Sequence, residues 1–283
     1  MKTKMTSRKK GYSVYPNKFS YRVNNWARHW WRSLLLVIAI LVLYIFFSTL
    51  CGVSYGMLNG TIAIEIMVII ASFSLLYPKW GKISDERWLN KDNIKQPFRE
   101  KRWRLWLIVL LTFIYLFWIS QVAGADLINL GDKTFNSNMK QVMTNPLLYT
   151  FAGCVLAPVS EELMYRGVIY SLLKKSFPVL FSAILQALIF ALMHGTMVQF
   201  PVAFGLGLFN AMIVQMTGTY LYNIGFHMLF NIGAQFLTPH LPNVLPDLTL
   251  ALAFYTFAIV LILAIFVVYL KKREPDVGAA RNK

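Results

Sequence analysis

Residues 147–173 read LLYTFAGCVLAPVSEELMYRGVIYSLL, an apolar run interrupted by two glutamates and an arginine. A helix crosses the hydrocarbon core of a bilayer with about 20 predominantly apolar residues, so this stretch is long enough to span. Ionisable side chains at that depth are costly, pair with one another, and mark functional sites. Glu161, Glu162 and Arg166 therefore raise two questions: whether their surroundings are a membrane, and which other polar groups share their depth.

The surroundings answer the first. Apolar runs lie at 33–50, 61–77, 105–123, 177–194, 199–216, 219–237 and 250–270, making eight segments with 147–173 as the fourth. The whole chain of 283 residues is 57% apolar and only 14% charged, against about 25% charged in ordinary soluble chains. That balance argues against a purely soluble enzyme and excludes disorder. Two cysteines, Cys51 and Cys154, both in apolar surroundings, cannot staple a fold of this size; they read as buried thiols.

Charge supplies the topology. The net charge is +16, with nine Lys or Arg and no acid in residues 1–32, nine more in 78–104, and five after Leu270. The alternate connections carry only Lys133 and Lys140. Basic loops stay on the cytoplasmic side, so both termini are expected there, with the basic surfaces facing anionic lipid rather than nucleic acid. The first apolar run is too long and begins too late for a cleaved leader. Aromatic residues among the early arginines, such as Trp30 and Trp31, read as interfacial anchors.

Polar residues then single out segments four to seven. Glu65 is the one charged residue in the first three segments and the last; near the outer end of segment two, it is expected to reach water. Segment five ends in Phe190 and His194, and segment seven holds His227 and Asn231. Counted from the inner ends at about 1.5 Å per residue, Glu161, His194, His227 and Asn231 fall in one slab about 13 Å thick. Glu162 and Arg166, four apart, can pair on one helix face, leaving Glu161 for a cavity. Asn210, Gln186 and Gln215 suit interhelical hydrogen bonds, while Gly205 and Gly207 permit close helix contact.

One carboxylate, two imidazoles and an amide form a hydrolytic set. A carboxylate in an apolar cavity suits proton abstraction from water. A histidine can orient that water or protonate a leaving amine, and a second histidine with an asparagine can donate to an oxyanion. No HExxH or recognisable serine–histidine spacing is present. Two histidines and a glutamate can also bind zinc, so a metal stays open, and Glu161, His194 and His227 would be the ligands if zinc or another divalent metal is used.

At these residues the sequence resembles the CPBP family of CAAX proteases and bacteriocin-processing or immunity proteins, related to the type II CAAX prenyl endopeptidase. Glu161-Glu162-Leu-Met-Tyr-Arg166 looks like its EExxxR motif, Phe190-Ala-Leu-Met-His194 its FxxxH, and His227-Met-Leu-Phe-Asn231 its HxxxN/D. The resemblance covers about 147–237. It implies an all-helical intramembrane fold in which Glu161 activates water with help from His194, while His227 and Asn231 form an oxyanion hole, with a metal-free mechanism favoured. Glu162 and Arg166 belong to the signature with a less settled role.

The expectation is an all-α polytopic membrane protein of about eight transmembrane helices. A basic tail (1–32) precedes three helices (33–146), a catalytic core (147–237), and a last helix with a basic tail (238–283). The expected function is an intramembrane endopeptidase acting on a membrane-associated or lipidated peptide or protein in a plasma membrane, with bacterial origin expected. The alternative is a noncatalytic self-immunity or regulatory partner on the same scaffold. An ion or proton transporter is a third class, but the inverted repeats of many transporters are not visible.

Overall fold

The computed structural model describes residues 19–55, 57–76, 110–112, 114–117, 145–195, 199–242, 244 and 248–271. Among them the regular structure is entirely helical. Helix α1 spans Phe19–Tyr55 and α2 Met57–Leu76. Helix α3 runs through Pro146–Ser176, α4 through Val179–Met193, α5 through Gln199–Thr217 and α6 through Tyr220–Ile232. A wider turn at Gly233–Leu237 and a tighter one at Thr238–His240 extend α6, and α7 spans Leu248–Lys271.

Seven of the eight expected segments coincide with these helices. The third lies mostly outside the described residues, of which 110–112 and 114–117 are helical. Five described helices are long and apolar enough to cross a membrane. Helix α4 has 15 residues, a rise of about 22 Å against a hydrocarbon core of about 30 Å, and is a shorter apolar helix than those five. Part of the expected amino-terminal tail, from Phe19 onward, is helical and continuous with the first span. Trp30 and Trp31 are exposed near its start, with the Arg32 guanidinium 5.2 Å from the Trp31 ring centre.

Burial distinguishes two kinds of helix. Helix α5 is buried nearly all round, whereas α1 and α7 turn large apolar side chains outward, among them Leu35, Val42, Phe46, Phe257 and Val260. Outward apolar faces suit lipid; α5 is packed on by α3, α4, α6 and α7, while α1 and α2 pack on each other and on α3. Gly207 sits against α4: a Cβ there would lie 2.8 Å from the Ala187 Cα. The Gln186 amide uses this close approach to donate to the Gly207 carbonyl at 2.8 Å. Gln215 donates to the Tyr170 hydroxyl at 3.1 Å, and Tyr269 of α7 donates to the Gln215 carbonyl at 2.7 Å. Both thiols are buried and free, as expected.

Chain punctuation sets where the helices stop. Asn145 caps α3 by accepting from the Leu148 N–H at 3.3 Å, with Pro146 in the first turn, where its missing N–H costs nothing. Helix α4 ends at His194 because Gly195 follows with φ +68°, a left-handed conformation that glycine adopts without strain. Inside α3, the backbone widens to π turns at Ala152–Leu156 and Glu162–Ile169. Pro158 stands between them; it has no N–H to give and its ring crowds the preceding turn. Such bulges recur at functional sites, and here the second carries Glu162 and Arg166.

Candidate active site

The centre of the site is a carboxylate from α3 surrounded by donors from three helices. Glu162 is fully buried. Its Oε1 lies 3.0 Å from Nη1 of Arg166, also fully buried, and 2.8 Å from Nδ1 of His227. Asn210 of α5 donates to the same oxygen at 2.7 Å, and Asn223 of α6 donates to Oε2 at 3.0 Å. Asn223 also donates to the Asn210 carbonyl at 2.7 Å, tying α6 to α5. A buried charge is tolerated when it is paired and fully hydrogen-bonded, and Glu162 meets that condition. The expected Glu162–Arg166 pair is therefore the middle of a larger network.

Glu161, one residue earlier, is treated differently. Its side chain is 21% exposed, and Oε2 lies 3.6 Å from Nε2 of His227. Among the described residues its carboxylate accepts no hydrogen bond. His227 therefore sits between the two glutamates, its Nδ1 on Glu162 and its Nε2 facing Glu161. Glu162 is acceptor-only when charged, so the ring's Nδ1 carries the proton of that bond.

Phe190 organises the remaining groups. Its buried ring packs edge-on to His194 at 4.6 Å and to His227 at 6.2 Å between centres. The Arg166 guanidinium carbon lies 4.4 Å from the same ring centre, and Tyr165 packs edge-on at 4.9 Å. Cation–π contact supports a guanidinium whose Nε, Nη1 and Nη2 make no hydrogen bond among the described residues, Nη1 meeting Glu162 as an ion pair. His194 Nδ1 is 2.8 Å from the Phe190 carbonyl. A carbonyl only accepts, so Nδ1 holds the proton and Nε2 is left as a lone pair in the neutral ring. No hydrogen bond or ion pair joins His194 to Glu161 among the described residues.

Asn231 has a partner that the sequence did not suggest. Its Nδ2 donates to the Gly153 carbonyl at 2.7 Å. The first π turn explains why that carbonyl needs a donor. Ala157 N–H bonds to Ala152 O, so in this register Gly153 O looks to the nitrogen of Pro158, which has no hydrogen. One amide hydrogen of Asn231 replaces it, and the second is left for other use. A turn further on, Gln235 donates to Thr150 at 2.9 Å and takes the Cys154 thiol at 3.2 Å, so α6 and its extension are fastened along α3.

Glu65 corrects the expectation that it reaches water. It is 6% exposed, because α2 packs on α3, and its carboxyl is hydrogen-bonded to Ser160. The other residue missed by sequence reading is Asn223. Its signal was present: Asn223, His227 and Asn231 are spaced by four and share one face of α6.

A metal reading requires Glu161, His194 and His227 to converge on a point. Among the described residues no three His, Cys, Asp or Glu side chains are disposed to hold a metal ion, so that set does not fit, and no step below runs through one.

Fold and site together define a helical membrane protein with an acid–histidine–arginine centre buried where four helices meet. Residues 143–233 match the family model of type II CAAX prenyl endopeptidase Rce1-like proteins, and this domain match supports membership of the CAAX protease (CPBP) family. Searches of curated proteins and of solved structures return no match.

Proposed function

We propose that the protein is an intramembrane endopeptidase that hydrolyses a peptide bond of a membrane-associated or lipidated substrate. The observation that carries this reading is the contrast between neighbouring carboxylates: Glu162 is saturated by Arg166, His227, Asn210 and Asn223, while Glu161 has no hydrogen bond among the described residues. A partly exposed carboxylate with free lone pairs is suited to take a proton from water. Glu162 and its donors act on the site by holding His227 in place.

In this mechanism Glu161 accepts a proton from water as the oxygen attacks the substrate carbonyl. His194, with its Nε2 lone pair directed by the Nδ1 contact to Phe190, orients the water; as the C–N bond breaks, the proton taken by Glu161 goes to the leaving amine, directly or through His194 Nε2. The oxyanion receives the remaining Asn231 N–H and a donor on His227 Nε2. With Nδ1–H committed to Glu162, the Nε2 donor requires a ring carrying both protons. The chemistry uses side chains alone. The proposed setting is eight spans with both termini cytoplasmic in a bacterial plasma membrane, the charge alternation being its support.

The test is a comparison of membrane-associated peptides from cells producing the wild-type chain or Glu161→Ala. At least one product is expected to disappear while the variant accumulates folded to wild-type level. Unchanged peptides with a folded variant contradict the hydrolase reading.

A further inference from the structure

Basic residues of the described helices gather at one end of the bundle. Lys174 and Lys175 lie in the last turn of α3, and Lys271 in the last turn of α7. The Ser33 and Ser176 hydroxyls are 2.7 Å apart, which sets Arg32 of α1 beside the same end. Gln215, near the end of α5, donates to Tyr170 of α3 and accepts from Tyr269 of α7, so these three helices finish together. Among the described residues no Lys or Arg stands at the opposite end. Basic ends of membrane helices face the cytoplasm.

The site is closed toward that end and loosely covered away from it. At about 1.5 Å per residue, Glu161, His194 and Asn231 stand roughly 16–23 Å from the basic ends of α3, α4 and α6, beyond the middle of a hydrocarbon core about 30 Å thick. Between them and the basic end, every residue of α3 from Glu162 to Lys174 is buried, as is every residue of α5 from Gly205 to Thr217. Burial lapses in the other direction. Val155, Ala157 and Val159 of α3 are half-buried, like His194 and Asn231, and Glu161 is 21% exposed. Polar groups continue the same way: Asn231 donates to Gly153, and Gln235 beyond it joins Thr150 and Cys154.

We propose that the site opens to the noncytoplasmic side of the membrane and takes a peptide segment presented there. Close packing of α3 and α5 bars the cytoplasmic route, while Asn231, Gln235 and Thr150 line the noncytoplasmic approach with amide and hydroxyl groups. That the entering segment is cleaved rests on the hydrolase reading above; the side from which it enters does not.

Thiol labelling of the full chain in cells with an intact plasma membrane, using a charged, membrane-impermeant methanethiosulfonate, tests this. The wild-type chain, whose two thiols are buried, sets the background. Three variants are compared: Glu161→Cys in the site, His240→Cys at the far end and Lys175→Cys at the basic end, the last two positions being exposed. Glu161→Cys and His240→Cys should gain label in intact cells, and Lys175→Cys only after the membrane is permeabilised. Labelling of Glu161→Cys that requires permeabilised cells, or that fails in both, overturns the proposal, as does label on Lys175→Cys in intact cells. Should Glu161→Cys fail to accumulate, Met193→Cys, in the last turn of α4 before His194, takes its place with the same outcomes. Labelling needs no turnover. Its failure leaves the hydrolase reading standing, while an unchanged Glu161→Ala peptidome removes cleavage and leaves the side of entry to the labels.

Discussion

The two sides of α3 differ in how their polar groups are satisfied. On the Glu162 side, Arg166, His227, Asn210 and Asn223 converge on one carboxylate with no exposure at all. On the Glu161 side, a partly exposed carboxylate faces a histidine at 3.6 Å and a second acid, Glu65, behind Ser160. Adjacent residues of one type thus have opposite environments. The satisfied side fixes geometry, and the unsatisfied side retains the capacity to react.

The largest effect should come from breaking the satisfied side. Arg166→Met leaves the Glu162 charge buried and short of its cation, which costs about 3–5 kcal/mol; melting in detergent should show the loss. Adding Glu162→Gln to that variant should recover much of it, since the stranded charge is gone. A smaller loss is expected from Asn223→Ala, about 1–3 kcal/mol for an unmet acceptor need, together with slower cleavage as His227 loses a neighbour of its anchor. The smallest belongs to the lipid-facing surface: Phe257 is 61% exposed, and Phe257→Ala should stay within about 0.5 kcal/mol. A melting shift at Phe257 as large as at Arg166 would erase the distinction between the buried centre and the outer helices.

Sequence patterns foretold the described helices well because apolar length is a strong local signal. They also placed Gln186, Asn210 and Gln215 in interhelical bonds, as the structure shows, since a buried amide at membrane depth has to find a partner. The four-residue spacing of Glu162 and Arg166 likewise gave their pairing. What stayed hidden depends on helices meeting. The burial of Glu65 needs α2 to lie on α3, which no local pattern encodes. The Asn231 bond to Gly153 follows from a π turn set by Pro158, and the proline was visible while its effect on the backbone register was not. Asn223 had the right spacing but lies outside the three motifs, so the anchor it gives Glu162 emerged only when α5 and α6 were in place.

The division of labour between the two glutamates is best tested by making Glu161→Gln and Glu162→Gln side by side. Each is measured for melting and for cleavage of the peptide found by the peptidome comparison. Glu161→Gln should melt like the wild-type chain and cleave at least about 100-fold more slowly, whereas Glu162→Gln should melt lower. A folded Glu161→Gln protein that cleaves at the wild-type rate would contradict the assignment of the reacting carboxylate.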